Sequence, residues 1–192
     1  MDLVANRLTV EQFDTFAALP ENADKLFEFI GGEVVEVPSN PYASSISMAV
    51  AGAILAYLRG NPIAHVTGEA GGYMVSGERY APDVGVLLKT RQARLALSGY
   101  NPLPPDLAVE VDFPSTLKSQ RDLRHKLYGY QAAGVLVWIV QPDTREVEVY
   151  APGQPPRVLS VNDALDGGAV LPGFTLPLRE LFPDEAPAQT IP

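Results

Sequence analysis

Leu107-Ala108-Val109-Glu110-Val111-Asp112-Phe113, a helical stretch from Leu117 to Ala133, and then Val135-Leu136-Val137-Trp138-Ile139-Val140 decide the fold of this chain. Strand side chains alternate between faces. In the first segment Leu107, Val109, Val111 and Phe113 therefore share one face, and Ala108, Glu110 and Asp112 share the other. Two acids on one face of an otherwise apolar strand are costly unless something neutralises them. A hard divalent cation such as Mg2+ does so, because it prefers oxygen ligands. Gly134 suits the C-terminal end of the helix. The uninterrupted apolar run 135–140 reads as a strand buried on both faces.

Upstream, Asp83 to Lys89 reads as a strand with Val84, Val86 and Leu88 on one side and Asp83 at its start, after Tyr80-Ala81-Pro82. Lys25 to Val37 reads as a β-hairpin turning at Gly31-Gly32. Thr9-Val10-Glu11-Gln12 forms a capping box that opens a short helix. From Ser44 to Leu58, Ile46, Val50, Ala53, Ile54 and Tyr57 recur at helical spacing, and Gly60-Asn61-Pro62 ends that helix. Short strands are expected near 64–67 and 72–75, and a short helix from Arg91 to Leu97. Beyond Ala151 the chain is rich in Pro and Gly, with a short helix expected near Leu178–Phe182. A mixed β-sheet flanked by helices is the simplest α/β architecture for this order. It spans 1–182 as one domain, with 183–192 as a disordered tail.

The 192 residues carry a net charge of −9 and no cysteine. Disulfides and Cys-ligated zinc are thereby excluded, and a cytoplasmic setting is expected. No apolar run suggests a membrane span, and the N-terminus does not read as a secretory signal. The acidic balance argues against a broad basic surface for nucleic acid, but a local basic strip, Lys118, Arg121, Arg124, His125 and Lys126, runs along one helix. His65 and His125 are too isolated to build a zinc site.

These segments, in this order, resemble the Uma-type endonuclease family of the PD-(D/E)XK nuclease superfamily. The matching stretches are Phe27 to Glu36, Ala81-Pro82-Asp83-Val84, Pro105 to Thr116, and Asp122 to Val135, continuing through Trp138-Ile139-Val140 to Tyr150. The resemblance implies a restriction-endonuclease-like core and metal-dependent hydrolysis of phosphodiesters in DNA. Asp83 matches the family's Pro-Asp acid and Glu110 the acid of its (D/E)XK element. The superfamily lysine would fall at Asp112, which is no cation, so Lys126 on the following helix is its migrated replacement. Glu28 matches a position that is usually acidic in the family and is a candidate third ligand.

The chemistry suits those residue types. Asp83 and Glu110 can hold Mg2+, or Mn2+, beside a scissile phosphate, where the ion polarises the phosphoryl group and acidifies a bound water. A lysine nearby stabilises developing negative charge. Lys126 falls at the edge of its helix's apolar stripe, where an ion pair with Asp122 is the competing reading, and Lys126→Ala is expected to leave the fold intact. Two further readings stay open: a catalytically silent nuclease fold that binds nucleic acid or protein, and a glycoside hydrolase built on the carboxylate pair. A homodimer is expected, since cutting both strands needs two sites and the 147–150 and 171–181 segments read as strand edges to be covered.

Overall fold

A computed structural model of the chain describes residues 7–22, 24–37, 41–113 and 116–182. The expected tail at 183–192 lies outside them. The centre is a six-stranded mixed sheet in the order β10-β9-β8-β7-β6-β3. Its strands are β3 (Ala64–Gly68), β6 (Val84–Leu88), β7 (Leu107–Val111), β8 (Leu136–Gln141), β9 (Glu146–Tyr150) and β10 (Arg157–Leu159). Every neighbouring pair is antiparallel except β7 and β8, which run parallel. Parallel neighbours need a crossover, and α3 (Leu117–Ala132) supplies it.

Strand periodicity sorts the core. Val84, Val86, Leu107, Val109, Leu136, Trp138 and Val140 face α2 (Pro41–Gly60) together with the two-stranded ribbon β11 (Ala164–Gly167) and β12 (Leu171–Pro177). Ala108, Val137 and Ile139 face the opposite way, towards α3. The run 136–140 is thus buried on both faces, as its unbroken hydrophobicity requires.

A second sheet sits on the α3 side. It is antiparallel, in the order β2-β1-β5-β4, with β1 (Phe27–Ile30), β2 (Glu33–Glu36), β4 (Tyr73–Val75) and β5 (Glu78–Tyr80). The expected hairpin forms its β1–β2 half. β5 was not foreseen. It arises because Ser76 and Gly77, with φ of 49° and 86°, make a two-residue turn that pairs Val75 with Glu78; positive φ at both central residues is what a type I′ hairpin needs. The short helix α1 (Val10–Ala17) starts at Thr9 with the expected capping box and buries Phe13 against Phe29.

Several expectations are corrected. Residues 91–97 form turns rather than a helix: the Asn101 side chain bonds Gln92, the Ala96 amide and the Leu103 carbonyl, and Arg91 pairs with Asp106, so local polar bonds replace a helical ladder. The 147–150 strand is no edge, because β10 covers it, whereas β12 pairs with β11 alone and so keeps one strand edge. The short helix expected near Leu178–Phe182 is present as one 3-10 turn, Leu178–Glu180. α2, at 20 residues with Arg59 as its one charged residue, is long and apolar enough to cross a membrane. Ile46, Val50, Ala51, Ile54 and Leu58 on its inner face pack on the sheet, as in a core helix of a globular domain.

Candidate active site

The site lies where α3 and the small sheet meet the face of the central sheet that carries Ala108. β6 and β7 pair Val84 with Val109. One more step of that register sets Asp83 opposite Glu110, on the α3 side. Asp83 is pinned there: its Oδ2 accepts the Val111 amide at 2.6 Å. Glu110 is buried at 7 % exposure.

Lys126 reaches down from α3 into this face. Its Nζ lies 2.7 Å from Glu110 Oε2 and 2.8 Å from Glu28 Oε1. The same Glu28 oxygen accepts the Ala81 amide at 2.7 Å, two residues before Asp83. The other Glu110 oxygen, Oε1, accepts the Tyr130 hydroxyl at 2.8 Å. α3 thus delivers both partners of Glu110 from positions i and i+4 of one face, and these are its two buried residues. Tyr130 packs edge-on against Tyr80, with ring centroids 5.2 Å apart. Tyr80 in turn lies over Gly129, where a Cβ would approach the Tyr80 hydroxyl to 2.5 Å. Only glycine lets the tyrosine cross the helix there.

Beside this cluster a second set ties the small sheet to α3. Glu78 accepts the Gly31 amide at 2.6 Å, the Tyr80 hydroxyl, and His125 at 3.0 Å.

The electrostatics follow from burial. Desolvation drives the Glu110 carboxyl up to about 8, against the pull of Lys126 and with added repulsion from Glu28 and Asp83. Burial also raises Asp83, an effect opposed by the Val111 amide and Lys126. For Lys126, burial works against the charge, but Glu110 and Glu28 outweigh it and hold the amine protonated. The lysine ammonium touches two carboxylates, so Lys126 is a fixed cation and Glu110 bears the cost of the shared burial. Tyr130 is raised far above its ordinary value by burial and by Glu110, which keeps its hydroxyl a donor.

The structure brings Asp83, Glu110, Lys126 and Glu28 into one cluster, as their placement on strands and helix suggested. Asp122 is not the partner of Lys126: it pairs with Lys118 at 2.6 Å and Arg121 at 3.3 Å. One correction concerns depth. Lys126 is 6 % exposed rather than at an open stripe edge, because β1 of the small sheet closes the side of α3 that a single-sheet architecture leaves open. Asp112 is half-buried one place beyond β7, and burial together with Glu148 and Asp143 raises its carboxyl. Tyr130 escaped the sequence reading although it stands four residues after Lys126. Glu78 left no signal, since its strand has three residues.

Hard oxygen donors and an excess of carboxylates over the one lysine suit a divalent cation. Among the described residues no three acidic or histidine side chains converge as a ready-made metal cage. Asp83 and Glu110 are the acids that could share an ion, for which Glu110 would exchange its contact with Lys126 or Tyr130; water would complete the coordination, as Mg2+ commonly retains it.

The family model "Uma2: Putative restriction endonuclease" matches residues 13–179. Restriction-endonuclease-like families generally use divalent metal ions. A crystal structure of a "putative nuclease belonging to DUF820" from Anabaena variabilis ATCC 29413 superposes with a TM-score of 0.75 at 20% identity, covering 91% of this chain and 97% of that one. No curated protein matches.

Proposed function

The chain belongs to the Uma2 family of restriction-endonuclease-like proteins, and on that basis we propose that it is a Mg2+-dependent endonuclease that hydrolyses phosphodiester bonds in DNA. The observation that carries the reading is the buried Glu28–Lys126–Glu110 bridge beside Asp83. A buried lysine bridging two buried carboxylates is a costly arrangement for structure alone, because the desolvation cost can exceed the attraction. Perturbed groups gathered in this way mark functional sites.

Asp83 and Glu110 would hold the cation. When bound, Mg2+ or Mn2+ supplies Lewis acidity at the phosphoryl oxygen and a more acidic water. The protein's own residues do the rest. Tyr130 fixes the rotation of Glu110 by occupying Oε1. Glu28, itself held by the Ala81 amide, anchors the Lys126 ammonium, so that a positive charge stands at the carboxylate pair without reorganising. Such preorganised charge stabilises negative charge that develops on the phosphate.

The reading is tested by incubating supercoiled plasmid and single-stranded oligonucleotide with the protein in Mg2+, Mn2+ or EDTA. Cleavage is expected with either ion, none with EDTA and none for Asp83→Ala. Metal titration by calorimetry without any cleavage would instead favour a silent nuclease fold used for binding. The observation on that side is the engagement of both Glu110 oxygens by Lys126 and Tyr130.

For cutting both strands the protein would act as a homodimer with two sites. Light scattering that gives the monomer mass of 20.6 kDa throughout the micromolar range would turn the reading towards nicking.

A further inference from the structure

From the outer face of α3 we infer a second nucleic-acid contact, an anchoring site for one unpaired strand, apart from the Glu110–Lys126 cluster. It rests on the nuclease reading for its biological sense, but not for its test.

Residues 117–128 hold four Lys or Arg residues against one Asp, in a chain whose net charge is −9. Two of the cations are already engaged: Lys118 and Arg121 pair with Asp122 and with Glu33 of β2. Lys126 is buried. Arg124 is exposed and makes no hydrogen bond or ion pair with any described residue. At about 100° per residue, Arg124 and Tyr128 sit about 160° to either side of Lys126. They therefore point away from the central sheet.

The surroundings of Arg124 are not those of a merely solvated face. Leu117 is 85 % exposed and Tyr128 69 %. With Gln120, Arg121, Arg124 and His125 they line a shallow pocket of about 360 Å³. An exposed aromatic ring beside unpaired and partly paired arginines is the combination that takes a nucleobase on the ring and its phosphates on the guanidinium groups. Base faces are available for such stacking in an unpaired strand and not inside a duplex, which selects the ligand. The pocket lies about a helix diameter, 10–12 Å, from Lys126. A strand held there runs past the cluster rather than into it, so the contact sets binding and register, not the chemical step.

The test separates binding from cleavage. Fluorescence anisotropy of labelled twelve-residue oligo(dT) and oligo(U) is measured in EDTA across a salt series. Parent protein should bind, with DNA and RNA arms reporting whether the sugar matters. Arg124→Glu and Tyr128→Ala should each weaken binding at least about fivefold. Arg124→Glu should also reduce the salt slope by about 0.7. Arg94→Glu, at an exposed arginine elsewhere, should bind like the parent. Both target side chains are exposed, so unchanged thermal melting checks that the variants fold. Absence of parent binding, or variants that bind as the parent does, would overturn the site. So would self-association that Tyr128→Ala abolishes while strand binding is unmoved, which assigns the face to a second copy. Loss of binding in the variants with no cleavage by the parent in Mg2+ keeps the anchor and removes the nuclease; cleavage with unaltered variant binding does the reverse.

Discussion

On the α2 side of the central sheet, Val84, Val86, Val109, Trp138 and Val140 meet Ile46, Val50 and Ile54. Among the described residues the buried charges are Glu28, Arg79, Glu110 and Lys126, and none lies on that side. On the α3 side, Ala108, Val137 and Ile139 share their face with Glu110, Lys126 and Tyr130. The same strands make both faces. A period of two lets one strand contribute to a plain hydrophobic core with Val109 and to a charged pocket with Glu110, one residue later. The first face is tolerant of exact fit within limits of volume. The second is exacting, because each buried polar group depends on a particular partner.

Removing one partner should break the second face most severely. Lys126→Ala leaves Glu28 a buried carboxylate without its cation and removes the donor at Glu110 Oε2, so a loss of about 3–5 kcal/mol is expected in urea unfolding. This revises the expectation that the variant keeps its fold. Lys126→Ala combined with Glu28→Gln and Glu110→Gln should recover much of that loss; equal destabilisation of the triple variant would mean that packing, not charge, is what the lysine supplies.

Gly129→Ala should cost about 1–3 kcal/mol, since the new methyl group meets the Tyr80 ring and hydroxyl. A thermal melt indistinguishable from the parent would show that Tyr80 moves aside freely.

Tyr130→Phe removes the donor to Glu110 Oε1 and should cost about 1 to 2 kcal/mol, with the Glu110 titration moving higher still. Carbon-detected NMR of the carboxyl would read that movement, and an unshifted titration would remove Tyr130 from its positioning role.

The two faces should also differ in their response to pH. The folded state holds the Glu110 proton up to about 8, against an ordinary value of 4.5. Between those values the folded chain binds more protons than the unfolded one, so stability falls as pH rises through this window and levels off above it. Lys126, raised from 10.5, contributes stability that is lost only at still higher pH. Urea midpoints at pH 5 and 8 should therefore differ for the parent and converge for Glu110→Gln. Added Mg2+ should stabilise the parent more at pH 8, where the carboxylate is free of its proton. A parent whose midpoint does not move between the two pH values would contradict the assignment.

The smallest effect belongs to the apolar face. Ile54→Val should cost about 0.5–1.5 kcal/mol, with the same value at pH 5 and pH 8. A pH-dependent cost there would mean that the faces are coupled through the sheet.

Much of this division was legible beforehand. Alternation set Glu110 on the face of its strand opposite Val109, the Pro82-Asp83 strand start put a second acid on the neighbouring strand, and helical spacing turned Lys126 towards the sheet. Tyr130 stood four residues on and was readable by the same rule. Three strands of the small sheet, β1, β2 and β4, were legible; β5, at three residues too short to show a period, was not, nor was the pairing that joins the four into a layer closing over Lys126. A basic residue on a helix reads as exposed until a second layer covers it. The turns at 91–97 were misread for a related reason, since Asn101, four residues past that stretch, supplies their bonds.

The sequence separations within the charged cluster carry a consequence for the order of assembly. Glu110 and Lys126 are 16 residues apart and belong to one strand–helix unit. Glu28 contacts Ala81 across 53 residues and comes from the other sheet. Closing the longer loop costs more chain entropy, so the strand–helix unit gains its contacts first and Glu28 docks last. A chain caught half-way holds a lysine and a carboxylate but lacks the anchor that positions them. Pulse-labelled hydrogen exchange should accordingly protect β7 and α3 before β1. The complete charged cluster therefore exists only in the finished protein.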